Sequence, residues 1–397
     1  MMAAAWEVFL VFLRLGLTSF GGPVAHLGYF RNAFVVQRRW LSEPAYADIV
    51  ALCQFLPGPA SSQVGMVVGL TRAGYAGALA AWLGFTMPSA IALILFAQGL
   101  SRYGNLVSSG ALHGLKVAAV AVVAQAVWAM ARSLCPDAPR ITLMALVAVA
   151  VSVVPSPWCQ VGAMIVAGYA GTRLFRAQDA LPHEPLAIPV GHGVALFCLF
   201  AFAALLVGLP VAARMSDHHL VALFDAFYRA GALVFGGGHV VLPLLQAAVV
   251  PTGWVDNDTF LAGYGAAQAV PGPLFTFAAF LGAAGRQIPN GWAGGAWCVL
   301  AIFLPSFLLV FGALPFWERV RRHGGVRAAL MGVNAAVVGL LLAALYQPVW
   351  TSAVLAPPDF ALALLALMAL TTWKLPPWAV VTACALAGWG IQAAGLA

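Results

Sequence analysis

The sequence predicts an all-α integral membrane protein made of two homologous halves. Three observations carry that prediction: an extreme apolar bias, about 13 hydrophobic segments of helical length, and short motifs that recur in the same order about 215 positions later.

Composition sets the class. Of 397 residues, 63% are hydrophobic and 8% charged, with a mean hydropathy of +0.94. A soluble domain carries roughly 25% charged residues, so this chain lacks the polar surface to face water. Its apolar runs reach the ~20 residues that cross a bilayer as a helix and lack the alternation of barrel strands. The net charge of +7 is modest. In a membrane chain such an excess marks cytoplasmic loops, and no nucleic-acid-binding pattern accompanies it. The chain enters apolar sequence directly, without a cleavage pattern, and is read as mature protein. Cys53, Cys135, Cys159, Cys198, Cys298 and Cys384 form no CxxC and are read as small packing groups.

Hydrophobic segments fall near 5–30, 44–72, 75–102, 108–133, 140–155, 158–175, 190–213, 219–250, 257–285, 291–317, 326–349, 358–373 and 376–395. The polar stretch RAQDALPHEP, 176–185, reads as a connector. The chain therefore divides into a first transmembrane repeat (1–175), a linker with a connecting helix (176–213) and a second repeat (214–397).

The repeat is legible residue by residue. FLRLGLTSFGGP (Phe12–Pro23) matches FYRAGALVFGGG (Phe227–Gly238), so Arg14 pairs with Arg229. Trp40-Leu41-Ser42 pairs with Trp254-Val255-Asp256, and Gln54, Pro57, Gly58 and Pro59 with Gln268, Pro271, Gly272 and Pro273. Trp82 pairs with Trp297, Pro88-Ser89 with Pro305-Ser306, and Lys116 with Asn334. If every segment crosses, seven separate the two repeat starts. Seven is odd, so the second half enters inverted, a plan shared by many secondary transporters. If the PGP segments are instead re-entrant hairpins, the count becomes six and the halves are parallel; inversion is the favoured reading. Simple counting then puts Arg31, Arg38 and Arg39 on the side opposite Arg319, Arg321, Arg322 and Arg327, against the positive-inside bias.

The PGP breaks suggest a ligand. Proline and glycine interrupt the helix, and the second piece starts with unpaired N–H groups at the positive end of its dipole, an anion site. Irregular backbone at membrane depth is tolerated where it is buried or lines a wet cavity. Gln54, Gly58, Ser61 and Ser62 in the first half and Gln268, Gly272 and Thr276 in the second are the expected contacts. Arg14 and Arg229 lie inside apolar runs, where arginine is costly and faces the bundle interior or an aqueous path. Asp225 precedes Arg229 by one helical turn and can neutralise it, which makes Arg14 the expected free anion contact. Lys116 is a further cationic candidate. Gly21-Gly22 and Gly236-Gly237 offer close backbone approach. His26, His239, Asp48 and Asp225 are candidates for proton coupling, and Glu7 is a further intramembrane carboxylate. No GxSxG, HExxH or carboxylate cluster is visible, so no catalytic residue, metal or cofactor is expected, and Asp217-His218-His219 reads as a polar loop.

These blocks resemble the chromate ion transporter family in its long, two-half form. The resemblance rests on Phe12–Pro23 with its FGGP, His26, Gly28, Trp40-Leu41, Gln54–Pro59, and their counterparts Phe235–Gly237, Gly253–Val255 and Gln268–Pro273. It spans about 6 to 349. The chain departs from the pattern at Gly238, where the first half has Pro23. The resemblance implies export of chromate, a tetrahedral dianion isosteric with sulfate, from the bacterial cytoplasm across the inner membrane, with chromate resistance. The partners expected are the oxyanion, the lipid bilayer and a second copy of the chain as a homodimer. Each charge leaving an inside-negative cell gains about 2.3 kcal/mol per 100 mV, so a dianion gains roughly 4.6 kcal/mol without a coupling ion. The rival readings are a carrier for sulfate or molybdate on the same scaffold and a membrane-embedded enzyme, which would need a paired acid and base that the sequence does not offer.

Overall fold

A computed structural model describes residues 2–103, 109–154, 156–175, 190–216, 218–235, 238–320 and 323–393. The polar stretch 176–185, Asp217, Gly236, Gly237, Arg321 and Arg322 lie outside the described residues. All regular structure among the described residues is helical. The first repeat contains α1 (Met2–Thr18), α2 (Gly22–Arg31), α3 (Glu43–Phe55), α4 (Ala60–Tyr103), α5 (Ser109–Leu134), α6 (Ala138–Val153) and α7 (Pro157–Leu174). After α8 (His192–Met215) the second repeat follows with α9 (His219–Leu233), α10 (Val241–Val249), α11 (Asn257–Ala269), α12 (Phe277–Ala284) and α13 (Gly291–Ala313). It closes with the short α14 (Trp317–Val320), α15 (Gly324–Ala344), the short α16 (Thr351–Ala353), α17 (Pro357–Thr371) and α18 (Pro377–Ala393). Among the described residues, five helical stretches are long and apolar enough to cross a membrane: Ala60–Arg102, Ser109–Leu134, His192–Met215, Gly291–Phe316 and Gly324–Ala353.

The recurring Trp-x-Ser/Asp block is a helix start in both halves. The Ser42 hydroxyl accepts from the Ala45 N–H at 3.3 Å, and Asp256 accepts from the Thr259 N–H at 2.8 Å. Such caps are worth about 1 kcal/mol each. Burial pushes the Asp256 carboxyl upward, but the Thr259 N–H and hydroxyl, with Arg286, outweigh it and hold the group below its ordinary range.

Four segments read from the sequence as crossings instead fold back on themselves. The rings of Phe12 and Phe30 sit 5.5 Å apart, although 18 positions separate them. In a continuous helix they would be about 27 Å apart at 1.5 Å per residue. Phe260 and Phe277 are likewise 5.1 Å apart across the second PGP. The ends confirm it. Arg72 closes the first limb of α4, pairs with Glu7 at 3.2 Å and covers Trp40 at 5.1 Å. Arg31 pairs with Glu43. In the second repeat His219 meets Trp254 at 4.9 Å, and the Arg286 N–H donates to the Trp254 carbonyl at 3.1 Å. So α1–α2 and α3 with residues 60–72 form two re-entrant hairpins that start and finish at one end of the bundle. The pair α9–α10 and the pair α11–α12 do the same in the second repeat. The backbone of Ala73 and Gly74 leaves the helical region, and residues 75–103 run back across.

The halves are inverted. Residues 75–103 pack against their counterpart α13 head to tail: Tyr75 meets Phe311 at 5.2 Å, Trp82 meets Phe303 at 5.7 Å, and Gln98 lies by Gly291. Equivalent helices running in opposite directions require an axis in the membrane plane. The parity expected from the sequence survives because two segments per repeat fold back, not one, which leaves the count odd. The same correction removes the charge conflict. The end of α13 lies beside the start of residues 75–103, so Arg319 and Arg327 share an end with Arg31, Arg38, Arg39 and Arg72. Close glycine seams join the helices, such as Gly171 of α7 against Gly332 of α15, the small-residue packing expected where lipid supplies no hydrophobic drive.

Candidate functional site

The four hairpin tips meet, and they meet crosswise. The Gly58 N–H of the first PGP donates to the Val234 carbonyl, just past α9, at 2.7 Å. The Gly272 N–H of the second PGP donates to the Ser19 carbonyl, just past α1, at 2.9 Å. Val234 and Ser19 are equivalent positions, so the lock is reciprocal. Each glycine has positive φ, +120° at Gly58 and +104° at Gly272. A Cβ at Gly58 would lie 2.7 Å from the Ser306 hydroxyl, and one at Gly272 would lie 2.9 Å from the Ser89 hydroxyl. Proline-serine steps in the crossing helices thus face the PGP tip of the other half, a role the sequence did not reveal.

The tip pair at Gly272 borders a cavity of about 50 Å³. At roughly 10–15 Å³ per ordered water, that is room for about four small oxygens. Its walls are the α1–α2 tip (Ser19, Gly21, Gly22), His239 beside α10, Gln268 and Gly272 at the second PGP, Gln125 of α5 and Pro377 at the start of α18. The α2 helix starts at Gly22 with no side-chain cap, so its first N–H groups are left for a ligand. Two buried polar atoms here lack a partner, the Ser19 Oγ and the Gln268 Nε2. Gln125 donates to the Leu370 carbonyl at 3.3 Å. His239 Nε2 stands 3.7 Å from where a Gly22 Cβ would be, and its Nδ1 is 2.9 Å from the Tyr264 hydroxyl. No carboxylate is among the described lining residues. Unpaired donors without acidic groups suit a small anion.

Of the residues singled out from the sequence, Gly21, Gly22, Gln268, Gly272 and His239 come together here. Others do not. Arg14 is exposed, because Val8, Phe12 and Gly16 form the buried face of α1 and Arg14 falls opposite. Gln54 is also exposed, turned away by the burial of Leu52 and Cys53 on α3. Lys116 pairs with Asp258 at 3.0 Å and lines a separate cavity with His113 and Asp359. Arg229 pairs with Asp225, as expected, at 2.6 Å and faces another cavity of about 290 Å³ with Gln160. The Thr276 hydroxyl donates to the Pro273 carbonyl at 2.7 Å and is buried. Asp48 accepts from the Trp317 indole at 3.2 Å. His26 bridges the Ser19 carbonyl at 3.2 Å and Ser61 at 3.4 Å, behind the cavity wall. Ser62 is buried away from the cavity with its hydroxyl unpaired. Gly236 and Gly237 fall outside the described residues. Ser19, Gln125 and Tyr264 were missed: each is an ordinary polar residue in an apolar run, and only the assembled tips bring them together.

A family model described as chromate transporter matches residues 6–172 and again 221–389. The chain is similar to a probable chromate transport protein of Synechococcus elongatus, 27% identical over 389 residues, 95% of this chain and 93% of that one. It is similar to the chromate transport protein of Cupriavidus metallidurans, 27% identical over 344 residues, 85% of this chain and 81% of the other. With the chromate transport protein of Pseudomonas aeruginosa it shares 28% identity over 397 residues, 96% and 91% of the two chains. No solved structure matches.

Proposed function

This chain belongs to the chromate transporter family, and on that premise we propose that it exports chromate from a bacterial cytoplasm across the inner membrane and thereby confers resistance. The observation that carries the reading is the small cavity at the crossed tips, with its unpaired donors and no carboxylate among its described lining residues. A tetrahedral dianion needs converging donors from several directions. The first turn of α2, the Gln268 amide and the His239 ring approach from both halves. Opposite motions of the two inverted repeats would expose such a central site to each side in turn.

The basic end, with Arg31, Arg38, Arg39, Arg72, Arg319 and Arg327, is the cytoplasmic end by the positive-inside rule. The cavities at Gln160 and at Lys116 are lined by Thr252, Trp254 and Asp359, residues of the opposite end, which supports an outward-facing vestibule.

The test is chromate uptake into everted membrane vesicles. Saturable uptake, accelerated by an inside-positive potential and inhibited by sulfate, is the expected result. Uptake equal to that of vesicles lacking the protein would refute the reading. Single cysteines at Glu43 and Thr252 should label from opposite sides, with Glu43 cytoplasmic.

A further inference from the structure

The cavity contains a histidine whose second ring nitrogen is already engaged. Tyr264 lies on α11, is 0% exposed and packs its ring 5.7 Å from Phe277. A buried phenol must place its single proton on an acceptor. Among the described residues two side chains reach the phenol: the Gln268 amide, placed to donate to its oxygen, and His239 Nδ1, an acceptor at 2.9 Å. If the phenol donates there, the neutral imidazole carries its own proton on Nε2, the nitrogen that faces Gly22 and the cavity. The ring then presents a donor to an anion without becoming charged. The opposite tautomer would aim a lone pair at the anion.

The groups around His239 reinforce this. From α2 comes the uncapped helix start at Gly22, from α11 Tyr264 and Gln268, from α5 Val122 and Gln125, from the second PGP Gly272 and Leu274, and from α18 Pro377. None of these is charged. The cations expected from the sequence are elsewhere: Arg14 is exposed, and Lys116 and Arg229 are each paired with a carboxylate.

We propose that Tyr264 is a positioning residue that fixes His239 as a neutral Nε2–H donor to the bound oxyanion. The proposal rests on the reading of this cavity as the anion site. It gives a role to a tyrosine that neither touches the anion nor has a counterpart in the first half, where the equivalent residue is Val50.

The experiment measures sulfate binding to the purified full-length protein between about pH 4.5 and 8, a range wide enough to reach proton uptake by a buried histidine. Sulfate keeps its charge over that range, whereas chromate takes up a proton within it. The native protein should bind with nearly constant affinity. Tyr264→Phe keeps the ring packing but frees Nδ1 to be protonated. It should bind about tenfold more weakly at the alkaline end and recover as the pH falls and the ring becomes cationic. His239→Gln keeps a donor near the Nε2 position but cannot titrate. It should bind more weakly than the native protein and stay flat with pH, alone and combined with Tyr264→Phe. A flat, native-like profile for Tyr264→Phe overturns the positioning role. So does a pH dependence that persists in the double variant. Unchanged binding in both His239→Ala and Gln268→Ala would instead overturn the anion site itself. Thermal melting of each variant separates these outcomes from misfolding.

Discussion

The two crossed tip pairs share a backbone and differ in chemistry. Both place a positive-φ glycine under the carbonyl that follows the first helix of the other half. Around Gly272 lie Ser19, His239, Tyr264 and Gln125, and a cavity is left between them. The equivalent positions around Gly58 hold Val234, Val24, Val50 and Ala343. Polar groups at that pair are instead packed into the wall: Gln63 donates to the Pro57 carbonyl at 2.7 Å, and the Ser62 and Ser306 hydroxyls are buried. Symmetry of the backbone therefore does not mean two half-sites converging equally on one anion. Duplication accounts for the inverted frame, and divergence gave the two tip joints different side chains.

Paired substitutions at equivalent positions break or sharpen this comparison. The largest effects belong to the locking glycines. Gly58→Ala and Gly272→Ala each force a side chain into positive φ and against a serine of the other half, at a cost of about 2–4 kcal/mol. Gly58→Ala should cost more, because its Cβ meets both Gln63 and Ser306 at 2.7 Å. Melting temperatures of the purified variants decide it, and a tolerated Gly58→Ala would dissolve the joint.

The arginine pair comes next. Arg229→Ala strands Asp225, whose side chain is 6% exposed, while the guanidinium itself is 41% exposed. The expected loss is about 2 kcal/mol of stability, below the range for fully buried pairs. Arg14→Ala should leave melting and transport close to native. This reverses the order that sequence reasoning favours, and a transport defect confined to Arg14→Ala would restore it.

The glutamine pair follows. Gln268→Ala removes a buried donor at the cavity and should weaken oxyanion binding about tenfold, the worth of one good hydrogen bond. Gln54→Ala, at the exposed equivalent, should change it less than about twofold. Radiolabelled sulfate binding gives both numbers. The smallest effect is at the serines. Ser306→Ala deletes a hydroxyl with no partner, and should fall within about 0.5 kcal/mol of native stability. Ser89→Ala loses a 3.0 Å bond to the Thr86 carbonyl and should cost about 1 kcal/mol. Denaturant titration would separate them.

Much of the frame was legible in the sequence. The segment read at 108–133 is α5, Ser109–Leu134, and that read at 190–213 is α8, His192–Met215. The helix breaks fall at the GGP and PGP motifs because proline and glycine act locally. The direction of the chain after each break was not legible. A run of apolar residues with a central break has the same hydropathy whether it crosses or turns back, and the deciding contacts, such as Phe12 with Phe30, span the break. Arg14 was misplaced for a related reason. On a helix that is apolar nearly all round, the sequence does not say which stripe meets protein.

The sequence by itself determined the membrane class, the duplication and the motifs at the tips. Each of these follows from composition or local backbone chemistry. Tertiary structure decided which tip met which, which cations were neutralised by Asp225 and Asp258, and which side chains gather around the cavity at Gly272. Those outcomes depend on groups such as Ser19, His239 and Gln268, far apart in the chain and joined only when inverted hairpins close on one another.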